Sequence, residues 1–138
     1  MVLINAKIQI NVTTEKVWDI ISSLDEDPIF WKGTTSVRNL SKNGNVTTRE
    51  VTLDKINKCM QTVTLFPKER ISILWTQGTI IGTKDIVLTP MGNVTILEAE
   101  LDYKFSGMTR LSSGKITKDL QCEVDEAVRL VKEKAEAL

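Results

Sequence analysis

The stretch from Ile116 to Leu138 changes the rhythm of the chain. Before it, apolar side chains recur mostly at every second residue. Within it, Ile116, Leu120, Val124, Ala127, Val128, Val131, Ala135 and Leu138 recur at three- and four-residue steps. That spacing lays one oily stripe along a helix. Asp119, Glu123, Glu126, Lys132, Glu133 and Glu136 fall largely outside it. A helix of about 22 residues at ~1.5 Å per residue is roughly 33 Å long, and a strand of about ten residues at ~3.3 Å each is comparable. One helix can therefore cross an entire sheet, and no other segment is large enough to cover that face.

The sheet is legible upstream. From Val2 to Val12 every even residue is apolar, while Asn5, Lys7, Gln9 and Asn11 are polar, which is a strand with one buried face. Thr13 or Thr14 caps a short helix with the stripe Val17, Trp18, Ile20, Ile21 and Leu24. Asp25, Glu26, Asp27 and Pro28 end it and start a second short turn carrying Ile29, Phe30 and Trp31, closed by Gly33. Three hairpins follow. Thr34–Ser41 and Val46–Leu53 flank Asn43-Gly44-Asn45, Cys59–Phe66 and Arg70–Thr76 flank Pro67-Lys68-Glu69, and Ile81–Thr89 and Val94–Phe105 flank Pro90 to Asn93. Ser106–Gly114 reads as a polar connection. The expected architecture is α+β: a curved seven-stranded antiparallel sheet wrapped around the long C-terminal helix, with two short helices after the first strand. No repeat or linker divides residues 1–138, so one domain is expected.

Composition narrows the chemistry. Lysine plus arginine and aspartate plus glutamate both number 18, whereas a nucleic-acid binder normally carries excess basic charge. Histidine is absent, which removes Ser-His-Asp and Cys-His sites and the commonest metal ligand. The scattered glycines form no phosphate loop, and Asp25–Asp27 fit no calcium loop, so no cofactor and no metal are expected. No apolar run approaches the roughly 20 residues that span a bilayer, and the alternating N-terminus is unlike a signal peptide. The expected location is the cytoplasm. Cys59 and Cys122 read there as small buried hydrophobes without a disulfide.

Three segments carry a family resemblance: Ile10–Trp31 (INVTTEKVWDIISSLDEDPIFW), with its Val17-Trp18 pair and a later Trp31; Val63–Gly78 (VTLFPKERISILWTQG), a Pro-turned hairpin; and residues 82–107, the last hairpin before the helix. With the order of elements, they resemble the helix-grip fold of the START, Bet v 1 and polyketide-cyclase superfamily. The resemblance covers essentially the whole chain. It implies a cavity between sheet and helix for a hydrophobic small molecule such as a lipid, quinone, steroid or polyketide. Some relatives catalyse cyclisation or dehydration, and many only bind or carry. A relative that depends on a pocket histidine is no guide here.

Strand faces nominate the pocket residues. On one strand Gly82, Lys84, Ile86 and Leu88 share the inward face, so Lys84 points in, where an unpaired ammonium needs a partner or a ligand anion. The alternative is a buried stem with its charge reaching water at the strand's open end. Thr47, Arg49, Val51 and Leu53 bring Arg49 inward, either to grip an anionic ligand group or to sit in a structural ion pair with Glu50's neighbours or at the rim. Leu97, Ala99, Leu101, Tyr103 and Phe105 share a face, and Tyr103, the only tyrosine, needs a partner for its hydroxyl there. Trp31, Phe30 and Trp75 supply aromatic surface, and Met60 and Met108 adaptable volume. Trp18 reads as core beneath the first helix, and Asp25–Asp27 as a solvated loop. The ligand-binding candidates are therefore Trp31, Arg49, Trp75, Lys84 and Tyr103, with no catalytic residue assigned. A binding or carrier domain leads. A cyclase- or dehydratase-like enzyme using Lys84, Arg49 and Tyr103 is the alternative, and an interaction module whose pocket is filled by its own side chains is the third.

Overall fold

The computed structural model describes residues 2–105 and 110–137, with side chains in the second segment from residue 114 onward. Strand β1 (Val2–Ile10) leads into helix α1 (Thr14–Ile21), a short 3-10 turn (Leu24–Glu26) and helix α2 (Asp27–Phe30). Six strands follow: β2 (Thr34–Asn43), β3 (Val46–Leu53), β4 (Asn57–Phe66), β5 (Arg70–Gln77), β6 (Ile80–Met91) and β7 (Val94–Phe105). Helix α3 (Arg110–Glu136) completes the described chain. Its first residues fall in what sequence reads as a polar connection. Ser112, Ser113 and Gly114 lower helix propensity, but no proline blocks the backbone there. Met108 and Leu138 lie outside the described residues.

All seven strands form one antiparallel sheet in the order β1-β7-β6-β5-β4-β3-β2. The first strand thus pairs with the last, Ile4 opposite Leu101 and Ile8 opposite Leu97. The remaining pairs are the hairpins of a meander, as the turn residues predict. Register slips between Thr34 and Ser36, Asn39 and Ser41, and Met60 and Gln61 bend the sheet locally. Alternation decides which side chains go in: Val51, Cys59, Val63, Ile71, Ile73, Leu97 and Ala99 are buried, and Val124, Ala127, Val128, Val131 and Ala135 of α3 meet the same interior. Helix α3 packs chiefly against β1, touches β7, and meets α1 and α2 along its flank. No helix among the described residues is long and apolar enough to cross a membrane.

Gly82 sets one local detail that matters for the site. Its φ is +144°, and a Cβ there would stand 2.0 Å from the carbonyl oxygen of Asp102. Only glycine permits so close an approach of β6 to β7. Two side chains depart from the sequence-based expectation. Met60 lies between buried Cys59 and Gln61, so the alternation of β4 turns it to the opposite face, away from the interior. Cys122 is exposed, one step off the apolar stripe, whereas Cys59 is buried; both thiols are free.

Candidate functional site

Most of the space between sheet and α3 is filled by side chains. Among the described residues there is a chamber of about 130 Å³ at one end and a gap of about 20 Å³ deeper in. Three adjacent strands present the chamber's inner wall. Trp75 of β5 pairs with Gly82 of β6, which pairs with Tyr103 of β7. Because position 82 has no side chain, the two rings meet across it, 5.4 Å between centroids and inclined at 73°. Phe105 continues the edge-on stack at 6.1 Å from Tyr103. Two residues along β6, on the same face, stands Lys84. Trp31, just past α2, and Glu123 of α3 close the opposite side.

Lys84 is only 5% exposed. Its Nζ lies 3.1 Å from the centroid of the Trp31 ring, a cation–π contact. Among the described residues no carboxylate oxygen comes within 4.0 Å of it. Burial pulls its pKa down from 10.5 to about 7, with Arg49 adding repulsion and Asp27 and Glu123 partly opposing. The ammonium therefore does not reach water at the strand end; Trp31 covers it instead.

Arg49 is brought close but not into the chamber wall. It is 1% exposed, and its donors are committed: Nη2 to Asp27 Oδ2 at 2.7 Å, Nε to Gln61 Oε1 at 2.8 Å, and Nη1 to the Leu24 carbonyl at 3.2 Å. Of the two expectations for Arg49, the structure shows an ion pair, but with Asp27 of α2 in place of a partner beside Glu50. That corrects the reading of residues 25–27 as a solvated loop. Asp25 does face solvent, accepting from Asn39, but Asp27 turns under α2 because a buried guanidinium requires a counter-charge. Asp27 and Phe30 line the deeper gap, and Trp31 lines both spaces and so divides them.

Two polar groups complete the site. The Glu123 carboxylate accepts a hydrogen bond from the Gly33 N–H at 3.3 Å. Burial raises its pKa, against the opposing pull of Lys84 and that N–H. The helical pattern alone put Glu123 off the stripe. Yet it stands three residues after Leu120 and four before Ala127, so a carboxylate at an inward step was the available signal. Tyr103 is buried, which pushes its phenol well above its ordinary value despite the adjacent Trp75 indole N–H. That N–H falls short of bonding geometry: among the described residues, Trp75 Nε1 is a buried donor without a partner. The arrangement offers aromatic surface, a partly neutral amine and an acid held toward its neutral form.

No protein-family model matches the sequence, and no curated protein matches it. Solved structures do. A protein of Thermus thermophilus superposes with a TM-score of 0.83 at 17% identity, over 98% of this chain and 97% of that one. The ZhuI aromatase/cyclase from a Streptomyces species gives 0.79 at 11%, over 97% and 93%. A START superfamily protein from Mycobacterium smegmatis gives 0.74 at 15%, over 96% and 97%. At these identities the likeness is one of backbone plan, and it agrees with the strand order, the paired short helices and the long covering helix: this chain has the START-like helix-grip fold.

Proposed function

We propose that the protein binds or carries a hydrophobic small molecule, with Trp31, Trp75, Lys84 and Tyr103 against the ligand and Arg49 fixing the α2 wall through Asp27. The observation that carries this reading is the chamber itself, aromatic on one wall and about 130 Å³ in volume. An apolar cavity of about 150 Å³ holds benzene, so the enclosed part of the ligand is of single-ring size. A lipid, quinone or polyketide-like molecule would seat one end there and extend through the mouth, or displace Trp31 and reach the gap beside Phe30. The aromatase/cyclase and START superfamily neighbours are consistent with a ligand of this class. Two free thiols fit a reducing compartment, the cytoplasm.

Trp31 and Trp75 make the test direct. Titration with a ubiquinone analogue, a medium-chain fatty acid and a naphthol should give saturable quenching of tryptophan fluorescence for at least one series. Organic extraction of the purified protein, followed by mass spectrometry, should find a co-purifying apolar molecule. A flat titration in all three, with an empty extract, would end the proposal.

A catalytic reading, cyclisation or dehydration of such a molecule, is favoured by one further observation. Lys84, Tyr103 and Glu123 all line the chamber, and each has a displaced pKa. It requires Lys84→Met and Tyr103→Phe to abolish turnover while the fold survives.

A further inference from the structure

We infer that Lys84 is a carbonyl-capturing amine, forming an imine with an aldehyde or ketone that enters the chamber. This rests on the reading that the chamber admits an apolar ligand and adds a covalent step to it. Three geometric facts support it. The amine lines the chamber; no carboxylate oxygen among the described residues lies within 4.0 Å to hold it as an ammonium; and the Trp31 ring shields one side from water. Lysine is activated as a nucleophile in this way, by desolvation in an apolar pocket, and here burial is the largest cause of the lowered pKa. At a pKa of about 7, Lys84 holds roughly a thousandfold more neutral amine at neutral pH than an ordinary exposed lysine. The described lysines apart from Lys84 are exposed or half-buried.

The charged groups around the amine fit the step. Glu123 lines the same chamber and is biased toward its protonated form. Asp27 is tied to Arg49, and Asp54 is at the exposed rim. The nitrogen lone pair attacks the carbonyl carbon, and one of the two nitrogen protons passes to the oxygen to give the carbinolamine. Glu123 protonates the departing hydroxyl, which leaves as water, and nitrogen loses its remaining proton back to the carboxylate. Amine plus carbonyl gives imine plus water, with no change of oxidation state. The chamber volume restricts the reacting end to a single ring or its equivalent.

The probe is benzaldehyde with sodium cyanoborohydride at pH 7 on the intact wild-type chain, read by whole-protein mass and peptide mapping. The expected result is a first benzyl group on the Lys84 peptide, at least tenfold ahead of any other lysine or the terminal amine. Ethylbenzene, which fills the same space without a carbonyl, should slow it. Lys84→Arg, which keeps the charge and removes the amine, should label without site preference. Labelling spread over exposed amines, or labelling of Lys84 indifferent to ethylbenzene, overturns the inference. Indole N–H resonances of Trp31 and Trp75 followed with ethylbenzene separate the two failures. Shifts without Lys84 labelling sink only the imine, whereas neither shifts nor labelling sinks the binding reading as well.

Discussion

Lys84 Nζ and the Trp31 ring lie 3.1 Å apart, measured to the ring centroid, with Lys84 in the chamber and Trp31 between the chamber and the deeper gap. Burial is the main cause of the depressed lysine pKa, and Trp31 supplies much of the cover. Trp31→Ala should join the two spaces and admit water. We expect a loss of about 3–5 kcal/mol, as for other large-to-small aromatic truncations. The Lys84 titration midpoint should climb from about 7 toward 10.5, with Trp31→Phe moving it far less. An NMR titration of the lysine Cε resonances measures this, and a midpoint that stays near 7 in Trp31→Ala would refute the assignment of cover to Trp31.

The Arg49–Asp27 pair makes a different prediction, because each charge exists underground only by virtue of the other. Asp27→Asn leaves a guanidinium buried among Leu24, Gln61 and an amide, and should cost about 3–5 kcal/mol. Arg49→Met should cost a similar amount by stranding the carboxylate. Combining the two changes, Arg49→Met with Asp27→Asn, should recover much of that loss, since neither charge is then left unpaired. Urea unfolding of the four proteins closes the cycle. Additive losses in the double variant would mean that the pair is not coupled as its 2.7 Å contact implies.

Much of this site is legible in the sequence, and the exceptions have physical causes. Period-two alternation fixes which side of a strand faces in, so the pattern alone puts Lys84 and Tyr103 on the faces they occupy. Alternation says nothing about how far along the interior a residue sits, and so it cannot tell that α2 walls off Arg49. A strand pattern also cannot show a counter-charge arriving from a four-residue helix, which is why Asp27 reads as loop. Glu123 escapes notice when charge is taken as a mark of the wet face. Its position in the three-four spacing says otherwise. The size of the chamber depends on the summed volumes of facing side chains, and no pairwise pattern encodes that sum.

Gly82 should tolerate no side chain. An alanine Cβ would meet the Asp102 carbonyl oxygen at 2.0 Å, and φ is +144°, so β6 and β7 must part or the strand must change course. We expect Gly82→Ala to cost roughly 2–4 kcal/mol. It should also disturb the edge-on contact of Trp75 with Tyr103, visible as altered near-ultraviolet circular dichroism. By contrast, Gly44→Ala has open space around it and should leave that aromatic signal intact. Equal effects from the two variants would show that the approach of the strands does not depend on residue 82.

The pH dependence of stability tests the site's charges together, with the sign set by which state binds more protons. Unfolded Lys84 keeps its proton up to about 10.5, while the folded group releases it near 7. Between those values the unfolded chain holds more protons, so stability rises with pH across the window. The penalty is largest below 7, where both states carry the charge, and it amounts to several kcal/mol. Glu123 acts in the opposite sense. Its folded pKa is raised above 4.5, so from 4.5 upward the folded state holds the extra proton and stability falls until that carboxyl ionises. The two trends oppose each other and leave a trough between them, with Lys84 supplying the rise on its alkaline side. Lys84→Met should stabilise the protein at pH 7 and flatten the rise from 7 toward 10, whereas Glu123→Gln should remove the fall on the acid side and start the rise at lower pH, because the Glu123 charge helps to hold the Lys84 proton. Urea midpoints between pH 4.5 and 9.5, below the ordinary range of the Tyr103 phenol, provide the measurement. If the wild-type curve is level from 7 to 9.5, Lys84 is not a buried, readily deprotonated amine, and the chemistry assigned to it has no foundation.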